Sequence, residues 1–322
     1  MLVFHYFCII LHFSFSKMHI HFAPLQGYTD DVYRRIHNEL VGGIHCYYTP
    51  FMRIEGGGVR AKDLRDIRPE WNQGVNVVPQ VIANSRKEFD RLCDIIIENG
   101  YKRIDINMGC PFPLQTRHGR GCGLLQHTDI VADIMQRVTE LTEQGIQFSV
   151  KLRLGLESEE ECFSILPLLN STPLTHVTLH PRIASQQYKG EVHLDAFCRF
   201  ANECQHPLIY NGDLTTLEDL HRIETEFPHL CGMMIGRGLL ARPSLAREYA
   251  EGKEWTLEQR IHLITRMHAR LHEHYASIIP SETQLLSKLR TFWDFMEPTF
   301  GHKTIKKIQK AGNLKNYLAA IP

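Results

Sequence analysis

The fold is decided by the runs RIDIN at Arg103–Asn107, DIVADIMQRVTELTEQ at Asp129–Gln144 and QFSVKL at Gln147–Leu152. The first and third runs are short and carry apolar β-branched or aromatic residues, which is typical of buried strands. In the second run, apolar residues recur every three or four positions, as they do along one face of a helix. A strand, a helix and a further strand in this order predict two parallel strands joined by a crossover helix.

The same alternation extends over most of the chain. The predicted strands are His19–Ala23, Gly43–Thr49, Asn76–Ile82, Arg103–Asn107, Gln147–Leu152, Thr175–His180, Pro207–Tyr210 and Gly232–Ile235. Helical periodicity lies between most of them, at Asp30–Leu40, Ser85–Asn99, Asp129–Gln144, Ser158–Leu169 and Leu217–Glu226. Eight such units favour a closed (β/α)8 TIM barrel, an α/β fold, over an open doubly wound sheet. The exception is the charged segment Phe51–Gln73, for which we predict a long loop.

Beyond the barrel the strands stop. Helical periodicity continues at Leu257–Ser277, Glu282–Phe295 and Lys303–Ala320. We therefore predict a barrel domain at residues 18–252 and a small all-helical domain at residues 253–322.

The first 17 residues, MLVFHYFCIILHFSFSK, are apolar and aromatic. They lack the basic start and the cleavage site of a well-formed signal peptide. We interpret residues 1–17 as a non-native extension upstream of a start at Met18. The alternative is an apolar arm packed on the barrel.

Composition limits the classes of protein to consider. Formal net charge is zero, so no global basic field indicates a polyanionic partner, but residues 253–322 carry eleven Lys and Arg against six Asp and Glu. The nine cysteines are scattered without a CxxC pair, which argues against a disulfide framework or a zinc site and favours a reducing compartment. No segment has the apolar length of a membrane span. We expect a cytoplasmic monomer without a bound metal.

Polar and glycine-containing motifs stand at the predicted carboxyl ends of seven strands. They are Ala23-Pro24-Leu25-Gln26-Gly27, Gln80, Asn107-Met108-Gly109-Cys110-Pro111, Lys151 with Arg153, His180 with Arg182, Asn211-Gly212-Asp213 and Gly236-Arg237-Gly238. Polar groups inside apolar strands are costly unless they are paired or used. Because the active sites of such barrels lie at the carboxyl ends of the strands, we predict one shared site at this rim.

Several of these residues point to a phosphate-bearing ligand. The loops after the seventh and eighth strands often bind phosphate in such barrels, although tight-turn chemistry is the ordinary explanation of Gly236-Arg237-Gly238 taken alone. Lys151, in the middle of an apolar strand, needs an anionic or electron-rich partner, or else a salt bridge inside the barrel. We interpret His180 with Arg182 as a ligand contact rather than a core histidine.

Cys110 is the candidate acid. It stands between Gly109 and Pro111, in a stiff turn at a strand end. A thiol with an ordinary pKa of about 8.5 is largely protonated at neutral pH and can donate a proton. Cys122, in the glycine-rich loop that follows, is the competing candidate.

Together these motifs resemble the tRNA-dihydrouridine synthase family. The matching residues, in the family's order, are Ala23-Pro24-Leu25-Gln26-Gly27-Tyr28-Thr29-Asp30, Gln80, Asp105-Ile106-Asn107-Met108-Gly109-Cys110-Pro111, Val150-Lys151-Leu152-Arg153, His180, Arg182, Gln186, Tyr188, Asn211-Gly212-Asp213 and Ile235-Gly236-Arg237-Gly238. The Asn-x-Gly-Cys-Pro element is the most specific to the family, whereas the others are partly shared with other FMN barrels.

The resemblance implies an FMN cofactor and a mechanism. FMN would be held by Pro24, Leu25, Gln26, Gln80, Lys151, His180, Asn211, Gly212, Asp213, Gly236 and Arg237. NADPH would reduce the flavin, and hydride transfer to C6 of a uridine with protonation of C5 by Cys110 would leave 5,6-dihydrouridine. Asn107, Arg153 and Arg182 would bind the uracil, which must leave its stack to reach the flavin.

The resemblance also implies tRNA as the partner. The bases in Lys303–Lys310, together with Lys288 and Arg290, would contact phosphates, which position RNA without reading its sequence. The segment Tyr48–Arg53 is most similar to the C-type branch that acts on position 16. The chain departs from the family in two places: Pro113, Leu114 and Gln115 stand where a Lys or Arg usually follows the cysteine, and Pro181 replaces the glycine after the histidine.

Two rival hypotheses use the same barrel. An FMN-dependent reductase of a free pyrimidine would not need the basic helical domain. A non-enzymatic protein that binds tRNA and assists its folding would not need Cys110.

Overall fold

Parallel strands alternate with helices through most of the computed structural model, which describes residues 17–322. The strands are β1 (His19–Phe22), β2 (Cys46–Tyr48), β3 (Ile54–Glu55), β4 (Gly58–Val59), β5 (Val77–Val78), β6 (Gln80–Val81), β7 (Arg103–Met108), β8 (Gln147–Gly155), β9 (Leu174–Ile183), β10 (Leu208–Tyr210) and β11 (Gly232–Ile235). All except the antiparallel β3–β4 hairpin belong to one parallel sheet.

The sheet closes into a barrel through β5 and β6, which are two halves of one strand interrupted at Pro79. β5 pairs with β2, and β6 pairs with β7, so the two ends of the sheet meet in this segment. Pro79 cannot donate a hydrogen bond, but its carbonyl accepts one of 2.9 Å from the Asp105 amide. With β5 and β6 counted as one strand, the structure has the eight strands of a (β/α)8 barrel, which confirms the predicted fold class.

Helices surround the barrel and continue beyond it. They are α1 (Asp31–Leu40), α2 (Ala61–Asp66), α3 (Arg86–Glu98), α4 (Pro113–Thr116), α5 (Thr128–Thr142), α6 (Glu161–Asn170), α7 (Leu194–Glu203), α8 (Leu217–Glu226), α9 (Arg237–Ala241), α10 (Leu245–Glu251), α11 (Leu257–Ile278), α12 (Glu282–Thr291), α13 (Glu297–Lys310) and α14 (Leu314–Leu318). Asp30, Ser85 and Thr216 begin α1, α3 and α8 by accepting a backbone N–H with their side chains.

Two predicted segments differ from the structure. Phe51–Gln73 is not one long loop, because it contains the β3–β4 hairpin, α2 and a 3-10 turn at Pro69–Trp71. Each of these pieces is too short to produce a periodic signal in the sequence. The helix predicted at Lys303–Ala320 is two helices, since α13 ends at Lys310 and Asn313 caps α14 through its side chain.

The C-terminal helices pack directly on the barrel. Arg270 of α11 makes a two-pronged ion pair with Glu39 of α1, at 2.9 and 3.1 Å. Below it, the Tyr275 hydroxyl donates to the Asp30 carboxylate within 2.9 Å and is itself buried. Gly252 ends α10 in the left-handed conformation, next to the predicted boundary between residues 18–252 and 253–322. Because the two parts share this buried contact, their division into domains stays a prediction.

The predicted extension at residues 1–17 lies outside the described residues except for Lys17. The Lys17 ammonium bonds the Tyr249 carbonyl and lies 5.2 Å from the centre of the Tyr249 ring. From residue 17 onwards, no helix has the length and apolarity that crossing a bilayer requires. The same part of the chain has no group of three or more His, Cys, Asp or Glu side chains placed to bind a metal ion.

Candidate active site

A cavity of about 660 Å³ opens at the carboxyl ends of the barrel strands. Its walls come from the loops after β1, β7, β9, β10 and β11, from β8, and from the junction between α12 and α13. Asp294, Phe295, Glu297 and Pro298 form the part contributed by the helical region. A cavity of this volume suits a cofactor-sized ligand.

Nearly all of the predicted site residues lie on the wall of this cavity. Those lining it are Pro24, Leu25, Gln26, Asn107, Cys110, Lys151, Arg153, His180, Arg182, Asn211, Gly212, Asp213, Gly236 and Arg237. Gln80 is the exception, because its side chain is fully buried behind Asn107. The structure therefore brings together residues from six strand ends that are far apart in sequence.

Cys110 and Cys122 differ in their access to the cavity. Cys110 lines the wall and packs in a small apolar cluster with Phe51 and Ile82. Burial raises the pKa of the Cys110 thiol, so the protonated form dominates at neutral pH. Cys122 is fully buried and does not line the cavity, which favours Cys110 as the acid. Gly121 makes this packing possible, because a Cβ there would lie 2.6 Å from the Cys110 carbonyl oxygen.

A buried chain of hydrogen bonds runs from β8 to the Cys110 loop. The Ser149 hydroxyl donates to Asp105 at 2.6 Å, and the Gln80 amide donates to the same carboxylate at 2.7 Å. The Asn107 Nδ2 donates to Gln80 Oε1 at 2.8 Å, and Asn107 Oδ1 accepts from the Gly109 and Cys110 amides at 3.1 and 2.9 Å. We call Ser149, Asp105, Gln80 and Asn107 the polar chain.

Asp105 and Ser149 were not predicted as site residues. Asp105 offered one signal in the sequence, a carboxylate inside the apolar run RIDIN. Burial raises the pKa of Asp105 to about 6, against the hydrogen bonds from Ser149 and Gln80. The carboxylate is therefore the main form at neutral pH, and it acts as a hydrogen-bond acceptor.

The cavity wall is rich in basic groups. Burial and the nearby Arg153 guanidinium lower the pKa of Lys151 to about 8. Burial, together with the neighbouring cations Arg153, Lys151, Arg182 and Arg237, lowers the pKa of His180 well below its ordinary value, so its imidazole is neutral. In the described part of the chain, no carboxylate lies within salt-bridge distance of Lys151 or Arg153. An anionic or electron-rich ligand would supply the missing partner.

Arg182 was predicted to bind substrate, but its guanidinium is almost fully buried and makes several internal contacts. It pairs with Asp213, donates to the Gly190 carbonyl at 2.6 Å and lies 3.2 Å from His180 Nε2. These contacts place Arg182 as a brace between the loops after β9 and β10. Arg237 also pairs with Asp213, at 3.1 Å, but over a third of its side chain is exposed.

Tyr188 also lines the cavity, and its sequence position alone did not predict a role for it. Its ring lies between two guanidinium groups, 5.2 Å from that of Arg153 and 4.6 Å from that of Arg237. Such cation–π contacts hold both cations against one wall of the cavity. Gln187, just before it, has a φ of 50°, so the loop follows an uncommon path to present this ring.

The loops after β10 and β11 form a close-packed corner. A Cβ on Gly212 would lie 2.9 Å from Val192 Cγ1, and one on Gly238 would lie 2.0 Å from the Leu214 carbonyl. Asn211 Nδ2 donates to the Met234 carbonyl at 2.7 Å and joins the two strand ends. Gly212, Gly236 and the partly exposed Arg237 all line the cavity, and the two glycines add no side-chain bulk there.

Two exposed apolar side chains lie close to the cavity in sequence, and one of them, Phe112, lines it. Phe112 is 48% exposed and Leu114 is 79% exposed, although both follow closely after the buried Cys110. The loop that carries them is held tightly, since a Cβ on Gly123 would lie 2.5 Å from the Thr116 carbonyl. We call Phe112 and Leu114 the apolar rim.

The lysines of α13 lie on its exposed face. Lys303, Lys306, Lys307 and Lys310 line one open groove, whereas Ile305 and Ile308 are buried as the periodicity predicts. Lys288 and Arg290 were grouped with these bases, but both make internal contacts: Lys288 pairs with Asp30 at 2.8 Å, and Arg290 donates to the Ala311 carbonyl.

Comparisons with known proteins identify the family of the chain. Residues 21–321 match the family model for dihydrouridine synthase (Dus). The chain is 26% identical over 314 residues to a tRNA-dihydrouridine(16) synthase of Pseudomonas syringae pv. tomato, covering 94% of this chain and 90% of the relative. It is 27% identical over 267 residues to a tRNA-dihydrouridine synthase B of Pasteurella multocida, covering 80% and 79% of the two chains.

Two solved structures of similar fold share little sequence with this chain. The structure titled TcOYE with pHBA has a TM-score of 0.53 and 9% sequence identity, covering 74% of this chain and 90% of that one. A morphinone reductase mutant in complex with tetrahydroNAD has a TM-score of 0.52 and 10% identity, covering 73% and 87%. At such low identity the likeness shows the fold alone. The family match extends over nearly all described residues and confirms the family predicted from the motifs: the chain belongs to the dihydrouridine synthase family, whose members are FMN-dependent oxidoreductases that reduce uridine to dihydrouridine in tRNA.

Proposed function

We propose that this chain reduces the C5–C6 double bond of one tRNA uridine to 5,6-dihydrouridine, with FMN as cofactor, NADPH as reductant and Cys110 as proton donor. The observation that carries the proposal is the position of Cys110, a buried protonated thiol on the wall of a cavity that also holds Lys151 and Arg153. Acid and cations therefore face one ligand-sized space.

The donor set fits a flat, anionic cofactor. The corner formed by Asn211, Gly212, Gly236 and Arg237 offers backbone amides and one exposed cation, which suits a phosphate. Lys151, placed deeper in the cavity, suits an electron-rich ring system, and Pro24, Leu25 and Gln26 form the neighbouring wall. When bound, FMN supplies the hydride for C6 of the uracil.

Cys110 supplies the proton for C5. Its thiol stays protonated because burial raises the pKa, and the proton that leaves is matched by the hydride that arrives at C6. Arg153 and Asn107 lie on the same wall and would orient the uracil. Arg182 would act indirectly, because its contacts hold Asp213 and the His180 imidazole in position.

The entrance to the cavity fits an unpaired RNA base. A uridine must leave its stack to reach the cavity, because ring chemistry inside a folded RNA is sterically blocked. The apolar rim would stack against the bases that flank the extruded uridine, which are left with exposed faces. The four lysines of α13 would contact phosphates farther along the RNA.

We further propose position 16 of the D-loop as the target, since relatives that match over most of the chain carry this position in their names. We place the enzyme in the cytoplasm with its tRNA, as a monomer. The eight described cysteines are all free, in keeping with a reducing compartment.

The test combines the purified protein with a deletion strain. Protein loaded with FMN and supplied with NADPH should convert one uridine of unmodified tRNA, detected as a gain of 2 Da by mass spectrometry. tRNA from the deletion strain should lack dihydrouridine at that position. An unchanged modification map in the deletion strain, or no gain of mass in vitro, would contradict the proposal.

The rival hypotheses predict different results in the same assay. A reductase of free pyrimidines should reduce uracil or uridine alone at least as fast as tRNA, and should tolerate reversal of the α13 charges. A folding helper should complement the deletion strain after Cys110→Ala substitution, since it does not use the thiol.

A further inference from the structure

We propose that Asp105 is a positioning residue for the reaction and acts on Cys110 through Gln80 and Asn107. This inference rests on the proposed function, in which Cys110 donates the proton. Asp105 does not line the cavity and touches neither cofactor nor substrate space, so any effect on the reaction must pass through the polar chain.

The two ends of the polar chain have fixed polarity. At one end, the backbone N–H groups of Gly109 and Cys110 can only donate, and both donate to Asn107 Oδ1. At the other end, the Asp105 carboxylate can only accept, and it accepts from Gln80. The amides of Gln80 and Asn107 satisfy both ends only when they line up head to tail, which is the arrangement observed.

Burial removes the alternatives to this arrangement. Gln80 and Asp105 have no exposed surface, and Asn107 is 8% exposed, so bulk water cannot satisfy an amide that turns around. If Gln80 flipped, its oxygen would face the carboxylate and its NH₂ would face that of Asn107. The hydrogen-bond acceptor that Asp105 presents to Gln80 therefore selects which atom Asn107 presents to the Cys110 loop.

The bond at the far end of the polar chain sets the position of the thiol. Asn107 Oδ1 closes a tight turn over Gly109 and Cys110, and the Cys122 amide donates to the Cys110 carbonyl at 3.1 Å from the opposite side. Register also ties this turn to Lys151, which pairs with Asn107 between β7 and β8. Loss of the Asn107 bond would free the loop on one side only and displace the acid from the cavity wall.

The matched variants are Asp105→Leu and Asp105→Asn. Leucine removes the acceptor and leaves Gln80 without a fixed orientation. In Asp105→Asn, the new amide oxygen can accept from Gln80 while its NH₂ donates to Ser149 Oγ, since a hydroxyl also accepts. The conservative variant thus keeps the direction of the polar chain, and the apolar one does not.

Stopped-flow absorbance of the FMN-loaded protein separates the two half-reactions. We expect Asp105→Leu to slow reoxidation of the flavin by tRNA by about 10²-fold, the size expected for a misplaced catalytic group. Flavin reduction by NADPH should change less than about threefold, because it does not need the thiol. Asp105→Asn should stay within about fivefold of the unsubstituted protein in both half-reactions.

Alkylation of Cys110 gives a readout that does not depend on turnover. Trypsin releases Ile104–Arg117 with Cys110 as its single cysteine, and Cys122 falls in the separate peptide Gly121–Arg137. With iodoacetamide, we expect Cys110 to be alkylated several times faster in the Asp105→Leu variant than in the Asp105→Asn variant. The alkylation of Cys122 serves as the internal reference. Gln80→Met breaks the polar chain at its next link and replaces Asp105→Leu if that variant does not fold.

Equal reoxidation rates and equal Cys110 alkylation in the leucine and asparagine variants would overturn the inference. A fall of both half-reactions together would also overturn it, because it would show a general structural effect. If tRNA does not reoxidise the flavin of the unsubstituted protein, the proposed function fails. The alkylation comparison then decides the role of the polar chain by itself.

Discussion

The two ends of the barrel both carry buried polar side chains, but they use them differently. At the amino ends of the strands, the buried Tyr48 hydroxyl lies within 3.1 Å of ring nitrogens of His21 and His176, and the more exposed rings of His19 and His45 stack at 3.8 Å. These groups stack on or hydrogen-bond with one another. At the carboxyl ends, Lys151 and Arg153 face a cavity of about 660 Å³. Polar residues indicate function where they face open space, and stability where they face each other.

The largest expected effect comes from the acid at the carboxyl end. Cys110→Ala should lower the rate of uridine reduction by roughly 10² to 10⁴-fold, because C5 loses its proton donor. Flavin content, measured by absorbance, should stay unchanged, since the substitution removes no cofactor donor. Cys122→Ala is the matched control at a fully buried thiol off the cavity wall. If Cys122→Ala proved the more damaging of the two, the assignment of the acid would be wrong.

The next effect concerns the exposed lysines of α13. Replacing Lys303, Lys306, Lys307 and Lys310 by Glu should raise the KM for tRNA by about 10² to 10³-fold and flatten its dependence on salt. The rate of flavin reduction by NADPH should not change. The control is Lys253→Glu, which reverses an exposed charge outside this groove. An unchanged KM for tRNA after the four substitutions would favour a small-molecule substrate.

A smaller effect is expected at the apolar rim. Removing a side chain that stacks on a base costs about 1–3 kcal/mol, so Phe112→Ala should lower kcat/KM for tRNA by roughly 5 to 150-fold. Phe112→Tyr should preserve activity, and Leu318→Ala tests an exposed leucine far along the chain. Analytical ultracentrifugation without RNA should show the same mass for all variants. A dimer that dissociates after Phe112→Ala would assign the apolar rim to self-association instead.

The smallest effect on turnover is expected at the amino end of the barrel. Burial lowers the pKa of His176 to about 4, and that of His21 well below its ordinary value. As the pH falls, these histidines take up protons in the unfolded protein before they do so in the folded one. Their contribution to the free energy of unfolding should therefore be fully present above pH 6.5 and should be lost as the pH falls towards 4. Urea unfolding at pH 7 and pH 5 measures this loss.

The double variant His21→Gln, His176→Gln should weaken that pH dependence and leave kcat at pH 7.5 within about twofold, since neither residue reaches the cavity. His229→Gln, at an exposed position, is the control. A large loss of kcat in the double variant would break the contrast between the two ends.

The alternation of strands and helices could be predicted because each βα unit repeats the same periodic signal. The bounds of Leu217–Glu226 and Gly232–Ile235 agree with the structure at both ends. β8 and β9 run longer than predicted, to Gly155 and Ile183, because the added residues include an arginine in each strand, with Gly155 in β8 and Pro181 in β9, and these are not typical of strand interior.

The cavity wall could be predicted for a simpler reason. In a parallel barrel, all carboxyl strand ends meet at one rim, so a motif's place in its strand fixes its place in the site. The polar chain could not be found this way, since it depends on register: Asp105 is paired with Gln80 on one side and with Ser149 on the other. Sequence spacing does not determine which residues of neighbouring strands stand side by side.

The contacts of Asp30 have a consequence for how the two parts of the chain could be exchanged. Asp30 caps α1, follows the loop that carries Pro24, Leu25 and Gln26, and bonds both Tyr275 and Lys288 of the helical region. A chimera that grafts the helices of another protein onto this barrel would leave a buried carboxylate without its partners, next to the loop of Pro24, Leu25 and Gln26 that lines the cavity. An exchange of whole C-terminal regions, made to change the target uridine, therefore has to keep the contacts of Asp30 with Tyr275 and Lys288 as well.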